Sequence, residues 1–142
     1  MKRLGNIYQD IISIDNLLLA HKNASKGKRK QRGVIQFNKD VAGNIQLIRN
    51  KLIKCEYKSP EYKTFLIYEP KEREIFVLPY PDRVIHHAIL QKIGEMFKRN
   101  FVKDTYSSIK GRGIHSAMEN IKKALRDKEA TKYCLKLDVK KF

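Results

Sequence analysis

The stretch Glu69–His87, EPKEREIFVLPYPDRVIHH, decides the fold. Just ahead of it Phe65-Leu66-Ile67-Tyr68 forms an apolar run, Pro70-Lys71-Glu72-Arg73 reads as a turn, and Ile75-Phe76-Val77-Leu78 is a second apolar run. Two such runs around a short polar connection predict a β-hairpin. At Pro79-Tyr80-Pro81 two prolines without amide donors stop the ladder, and Pro81 suits the opening of a helix that begins near Asp82. Hairpin, proline stop and helix are therefore joined tightly. Arg73 and Arg83 flank the joint, and a hairpin folded back over the helix start would aim both guanidinium groups at one anion, a geometry suited to a triphosphate. The plainer alternative is surface ion pairing of these arginines with Glu69, Glu72 or Glu74, which contributes little to stability.

Composition narrows the partner. The 142 residues are enough for one domain with a core, and 42% hydrophobic content indicates a globular chain. A formal charge of +16, from 31 basic and 15 acidic residues, favours a polyanion, with nucleic acid ahead of membrane. No apolar run reaches the roughly 18 residues of a spanning helix, and Asp10 and Asp15 break the N-terminal stretch that follows Met1-Lys2-Arg3, so the expected location is cytoplasmic. Cys55 and Cys134 lack a CxxC partner and read as two buried thiols in a reducing compartment.

Periodicity gives the helices. Ile7, Ile11, Ile14 and Leu18 fall at helical spacing and predict a first helix from Gly5 to about His21. No acid occurs between Asp15 and Asp40, while Lys22, Lys26, Lys28, Arg29, Lys30 and Arg32 crowd a segment that also holds Gly27 and Gly33. Such a segment is either a loop lying along phosphates or a solvated loop. After Asn38, a reasonable N-cap, Val41, Ile45, Ile48 and Leu52 mark a core-facing helix. The helix from Pro81 to about Lys98 carries Val84, Ile85, Ala88, Ile89, Ile93, Met96 and Phe97, a broad apolar face. His86 and His87 on it are adjacent and lack the i, i+4 spacing of a helical metal site.

Gly111-Arg112-Gly113 opens another helix, in which Ile114, Ala117, Met118, Ile121, Ala124 and Leu125 are amphipathically spaced. The glycines either let free amides approach a phosphate or simply form a turn beside a solvated arginine. In the last stretch Tyr133, Leu135, Leu137 and Val139 alternate with Cys134, Lys136 and Asp138, which predicts a half-buried strand presenting Asp138. On bare sequence a carboxylate there is more often a solvated group or a cap than a catalytic one.

The spacing Lys71-x-Arg73-x-Ile75-x-x-Leu78-Pro79-x-x-Asp82-Arg83-Val84, followed by Thr105-Tyr106 and Gly111-Arg112-Gly113-Ile114-His115, resembles the fingers region of bacterial reverse transcriptases. It is most similar to the group II intron and diversity-generating retroelement types, from about Asn16 to the end of the chain. The resemblance implies an α+β fold: helix-rich fingers with a β-hairpin and the first palm strand, dividing into an N-terminal extension and fingers over 1–131 and the start of the palm over 132–142. It further implies an RNA-directed DNA polymerase as parent, with RNA template, DNA primer and deoxynucleoside triphosphate as partners. Arg73, Arg83 and Lys71 would then contact the incoming nucleotide. Lys26, Lys28, Arg29, Lys30 and Arg32, with Gly111, Arg112 and Gly113, would lie on the template. Asp138 matches the first palm carboxylate, which in the family holds the magnesium ions that align the primer 3′ hydroxyl.

The family's Tyr-x-Asp-Asp hairpin, which completes the two-metal site, does not occur in this sequence. The expectation is therefore a truncated product that binds but does not polymerise, with magnesium belonging to the full-length parent. A second reading is a stand-alone RNA-binding module. A third is a protein-interaction fragment whose terminal strand pairs with another chain, with dimerisation as a hazard.

Overall fold

The structure, a computed structural model, describes residues 5–139. Mixed helix and sheet make it α+β: among the described residues there are six helices and one two-stranded antiparallel sheet. The chain divides between Met96 and Phe97 into two compact units.

In the first unit the predicted opening helix is two helices, α1 (Ile7–Ile11) and α2 (Ile14–Ser25). Ser13 breaks them apart and caps α2, its hydroxyl accepting from the Asn16 amide at 3.3 Å. The break resets the helical phase. Ile14 and Leu18, expected to face the core, are exposed, whereas Leu17, Ala20 and Ala24 are buried. Asn16 fixes this rotation, because its buried amide donates to the Ile11 carbonyl at 2.9 Å and to the Ala88 carbonyl at 3.1 Å.

A short helix α3 (Arg32–Asn38) begins at the end of the segment read as loop, and it contributes Val34 and Phe37 to the core. Helix α4 (Val41–Ile53) buries Ile45 and Ile48, with Val41 and Leu52 packed beside them, as the spacing predicts. Its N-cap is Asp40 rather than Asn38: the Asp40 carboxylate accepts from the Gly43 amide at 2.8 Å, while Asn38 is the last residue of α3.

At the other end of α4 the Cys55 amide bonds the Leu52 carbonyl at 3.0 Å and the Glu56 amide bonds the Lys51 carbonyl at 2.9 Å. This double closure places Cys55 in the left-handed region, at φ 55°, where glycine is usual. The expectation of buried thiols therefore fails. Both Cys55 and Cys134 are exposed, the first on a helix-terminating turn and the second in an extended segment. Cys55→Gly should relieve the Cβ strain and raise stability by about 0.5–1 kcal/mol in urea unfolding. An unchanged or lowered midpoint would contradict that.

The hairpin forms where the sequence places it. Strand β1 (Lys63–Ile67) pairs antiparallel with β2 (Arg73–Val77), with Lys63 opposite Val77, Phe65 opposite Ile75 and Ile67 opposite Arg73. One face thus carries Lys63, Phe65, Ile67, Arg73, Ile75 and Val77. Helix α5 (Tyr80–Asn100) starts one residue ahead of Pro81, as the proline stop predicts. Tyr80, Val84, Ile85 and Ala88 enter the core, so the apolar face of α5 is covered over its first turns only, and Phe97 is exposed.

The second unit contains helix α6 (Ile114–Ala124), whose apolar stripe forms as spaced although no residue of it is buried. The strand expected over 132–139 is not formed: Tyr133 is 96% exposed and Leu135 and Leu137 are each 82% exposed. Strict alternation specifies two faces, but a strand exists only where a second backbone takes up its hydrogen bonds, and none does so here among the described residues.

Candidate nucleic-acid interface

The basic segment folds as two successive turns between α2 and α3. The Lys28 amide bonds the Ser25 carbonyl and the Gln31 amide bonds the Lys28 carbonyl, each at 2.9 Å. Gly27, at φ 72°, supplies the left-handed step that lets the chain reverse. Lys26, Lys28, Arg29, Lys30 and Arg32 are all exposed. Residues 27–31 curve around a hollow of about 430 Å³.

Beside it lies a second hollow, of about 490 Å³, lined by Arg32, Lys63 and Arg83 among polar and apolar neighbours. No acidic residue lines it. Its floor is built by the start of α5. The Tyr80 ring packs edge-on against Phe37 and His21, and its hydroxyl lies 2.9 Å from His21 Nδ1 and donates to the His21 carbonyl at 3.3 Å. Gly33 permits this approach, since a Cβ there would stand 3.1 Å from Tyr80 Cβ. The aromatic cluster ties α2, α3 and α5 together, and so holds Arg32 and Arg83 at the same hollow.

Next to Arg83, Asp82 is 2% exposed. Its Oδ1 accepts a hydrogen bond from the Tyr57 hydroxyl, while Oδ2 is buried without a partner among the described residues. Burial first, and then the bond to Asp82, raise the Tyr57 phenol far above its ordinary value. The pair clamps the segment leading into β1 against the first turn of α5.

Two histidines sense this environment. Burial lowers the pKa of His87, and the charges of Lys28, Arg83 and His86 lower it further. Burial alone lowers that of His21. A folded-state pKa below the ordinary 6.5 means that the neutral ring stabilises the fold above that pH and that this contribution is lost as pH falls through the folded value. The melting temperature should therefore decline between about pH 7 and pH 5. His21→Phe, which retains a ring against Phe37, should shallow that decline. An equal slope in wild type and variant would remove His21 from the account.

Arg83 and Arg32 share the second hollow, joined by Lys63, which the sequence reading did not select. Lys63 precedes an ordinary apolar run, and only the strand register sets it opposite Val77, on the hollow's rim. Arg73 does not line the hollow; it lies at the far end of β2, four residues or about 13 Å from Val77. Lys71 is exposed in the hairpin connection. Neither Arg73 nor Arg83 forms an ion pair with Glu69, Glu72 or Glu74, whereas Lys132 does bridge to Glu129, at 2.6 Å.

In the second unit, Gly111 adopts φ 80°, and Arg112 pairs with Ile109 in an isolated bridge. The Arg112 guanidinium donates to the Lys103 carbonyl at 3.1 Å, so it braces its own loop. Gly113 caps α6 without a side-chain bond.

Asp138 is exposed in the extended segment. Among the described residues no group of three or more His, Cys, Asp or Glu side chains is placed to hold a metal ion. The residues present thus do not fit a two-magnesium centre. No described helix is long and apolar enough to cross a membrane. No protein-family model matches the chain, and no curated protein matches it.

Proposed function

We propose that this chain is the nucleic-acid-gripping fingers portion of an RNA-directed DNA polymerase, and that its own activity is binding rather than polymerisation. The observation that carries the reading is the acid-free hollow lined by Arg32, Lys63 and Arg83 at the hairpin–helix joint, beside the turns bearing Lys28, Arg29 and Lys30. Six cations on two adjoining hollows attract a polyanion, and the +16 charge of the chain extends that field. The ordered motifs from Lys71 to His115 supply the polymerase part of the reading. Arg73 and Lys71 stand on the hairpin as nucleotide contacts, and Asp138 as the palm carboxylate of the parent enzyme.

A stand-alone RNA-binding module is favoured by one specific observation: the cationic hollows and the core beneath them both belong to the unit that ends at Met96. Anisotropy of a labelled RNA–DNA primer-template across a salt series tests the binding common to both readings. Log affinity should fall linearly with log salt, with a slope of about 0.7–0.9 per phosphate contacted. Absence of binding at low salt would sink both. Primer extension by the product of the whole open reading frame, with and without Asp138→Ala, separates them: extension that the substitution abolishes supports the polymerase, and no extension by the unsubstituted protein supports the module.

A further inference from the structure

We infer that the two adjoining hollows form one continuous track for the backbone of a nucleic-acid strand, and that Arg83 works in this track rather than beside Arg73 on a free nucleotide. The inference rests on the nucleic-acid reading above and assigns the ligand of its central site.

Gln31 lines both hollows, so Lys28, Arg29 and Lys30 on one adjoin Arg32, Lys63 and Arg83 on the other. A free triphosphate concentrates its charge at one end of a small molecule. A row of six cations matches charge repeated along a chain. Arg83 is half-buried, and its guanidinium has no hydrogen-bond or ion-pair partner among the described residues. Partial desolvation of an unpaired guanidinium is unfavourable until an anion meets it, and its fork matches two phosphate oxygens. The charges of Lys28 and Arg83 both add to the lowering of the His87 pKa that burial begins, in keeping with the two cations lying on neighbouring surface.

Val77, Leu78 and Pro79 form an apolar wall in the hollow that holds Arg32, Lys63 and Arg83, where a sugar or base edge can rest while its phosphate faces the cations. Arg73 shares a hairpin face with Lys63, yet stands about 13 Å farther along the strand. Arg73 is not among the residues that line this hollow, so a phosphate bound there meets Arg32, Lys63 and Arg83.

The test uses the full chain and two probes, a labelled single-stranded oligoribonucleotide and a deoxynucleoside triphosphate, with Arg83→Ala, Lys63→Ala, Arg73→Ala and Arg83→Lys. Lys63 is exposed, so its substitution keeps the test valid even if Arg83→Ala disturbs the fold. Arg83→Ala and Lys63→Ala should each weaken oligonucleotide binding about fivefold to tenfold and reduce the salt slope by about one. Arg73→Ala should change oligonucleotide binding less than about twofold, and Arg83→Lys should restore the slope but not the full affinity. If the oligonucleotide binds with a normal slope that neither Arg83→Ala nor Lys63→Ala alters, the inference falls and the general binding function stands. Loss of triphosphate binding in Arg83→Ala, with oligonucleotide binding intact, would instead assign the hollow to free nucleotide and overturn the track. A wild type that binds no oligonucleotide even at low salt would overturn both the inference and the proposed function.

Discussion

Replacing Lys26, Lys28, Arg29, Lys30 and Arg32 together by alanine is expected to lower affinity for an RNA–DNA primer-template by about 10²–10³ near 0.1 M salt. The salt slope should fall by about 3 in the same experiment. The physical reason is that this segment gathers cations without an acid from Asn16 to Lys39, so nothing in the segment competes with phosphate for them. Each contact releases condensed counterions, and the entropy of that release is what added salt removes. All five side chains are exposed, and none makes an ion pair among the described residues. Their removal should therefore leave the far-ultraviolet circular dichroism unchanged. A variant that keeps both wild-type affinity and wild-type slope would show that the segment is only a solvated loop.

The second large effect concerns stability. Tyr57→Phe is expected to cost about 2–3 kcal/mol, because it strips the observed hydrogen bond from a buried carboxylate whose other oxygen is already unpartnered. Hydrogen bonds to charged groups contribute more than neutral ones, and an abandoned buried charge costs more than an abandoned dipole. Adding Asp82→Asn to the variant should recover part of the loss, since a neutral amide is less costly to bury than a carboxylate. Chemical denaturation of the four members of this double-mutant cycle gives the coupling directly. Additive losses would mean that the two side chains act independently.

The same pair gives an alkaline signature. The Tyr57 pKa is raised above its ordinary 10.0, so its contribution is complete below that pH and is lost as pH rises towards the folded value. Wild type should lose stability from pH 10 upward more steeply than Tyr57→Phe. Parallel curves would detach Tyr57 from the effect.

Several features of this molecule follow from residues that are close in sequence. The hairpin, its proline stop and the start of α5 follow from backbone chemistry that is local to residues 65–82: apolar runs, a polar connection, and two residues that cannot donate to a ladder. The core face of α4 follows from spacing, because a helix without a break keeps its phase. The basic segment is visible as composition, although its turns and the short α3 that follows them are not.

Tertiary structure decided the rest. Ser13 resets the phase of α2, and buried Asn16 locks it by bonding to Ala88, a partner 72 residues away. The alternation of residues 132–139 specifies faces but not a partner, and no strand forms without one. Burial of Asp82 beneath Tyr57, and the meeting of Arg32, Lys63 and Arg83 around one hollow, depend on strand register and on how closely α3 approaches α5. Sequence alone determined which residues carry charge and which segments are regular, since those are properties of residues and their near neighbours. Which cations face one ligand was decided only by packing, because chain-distant side chains converge only when a shared core fixes the elements that bear them.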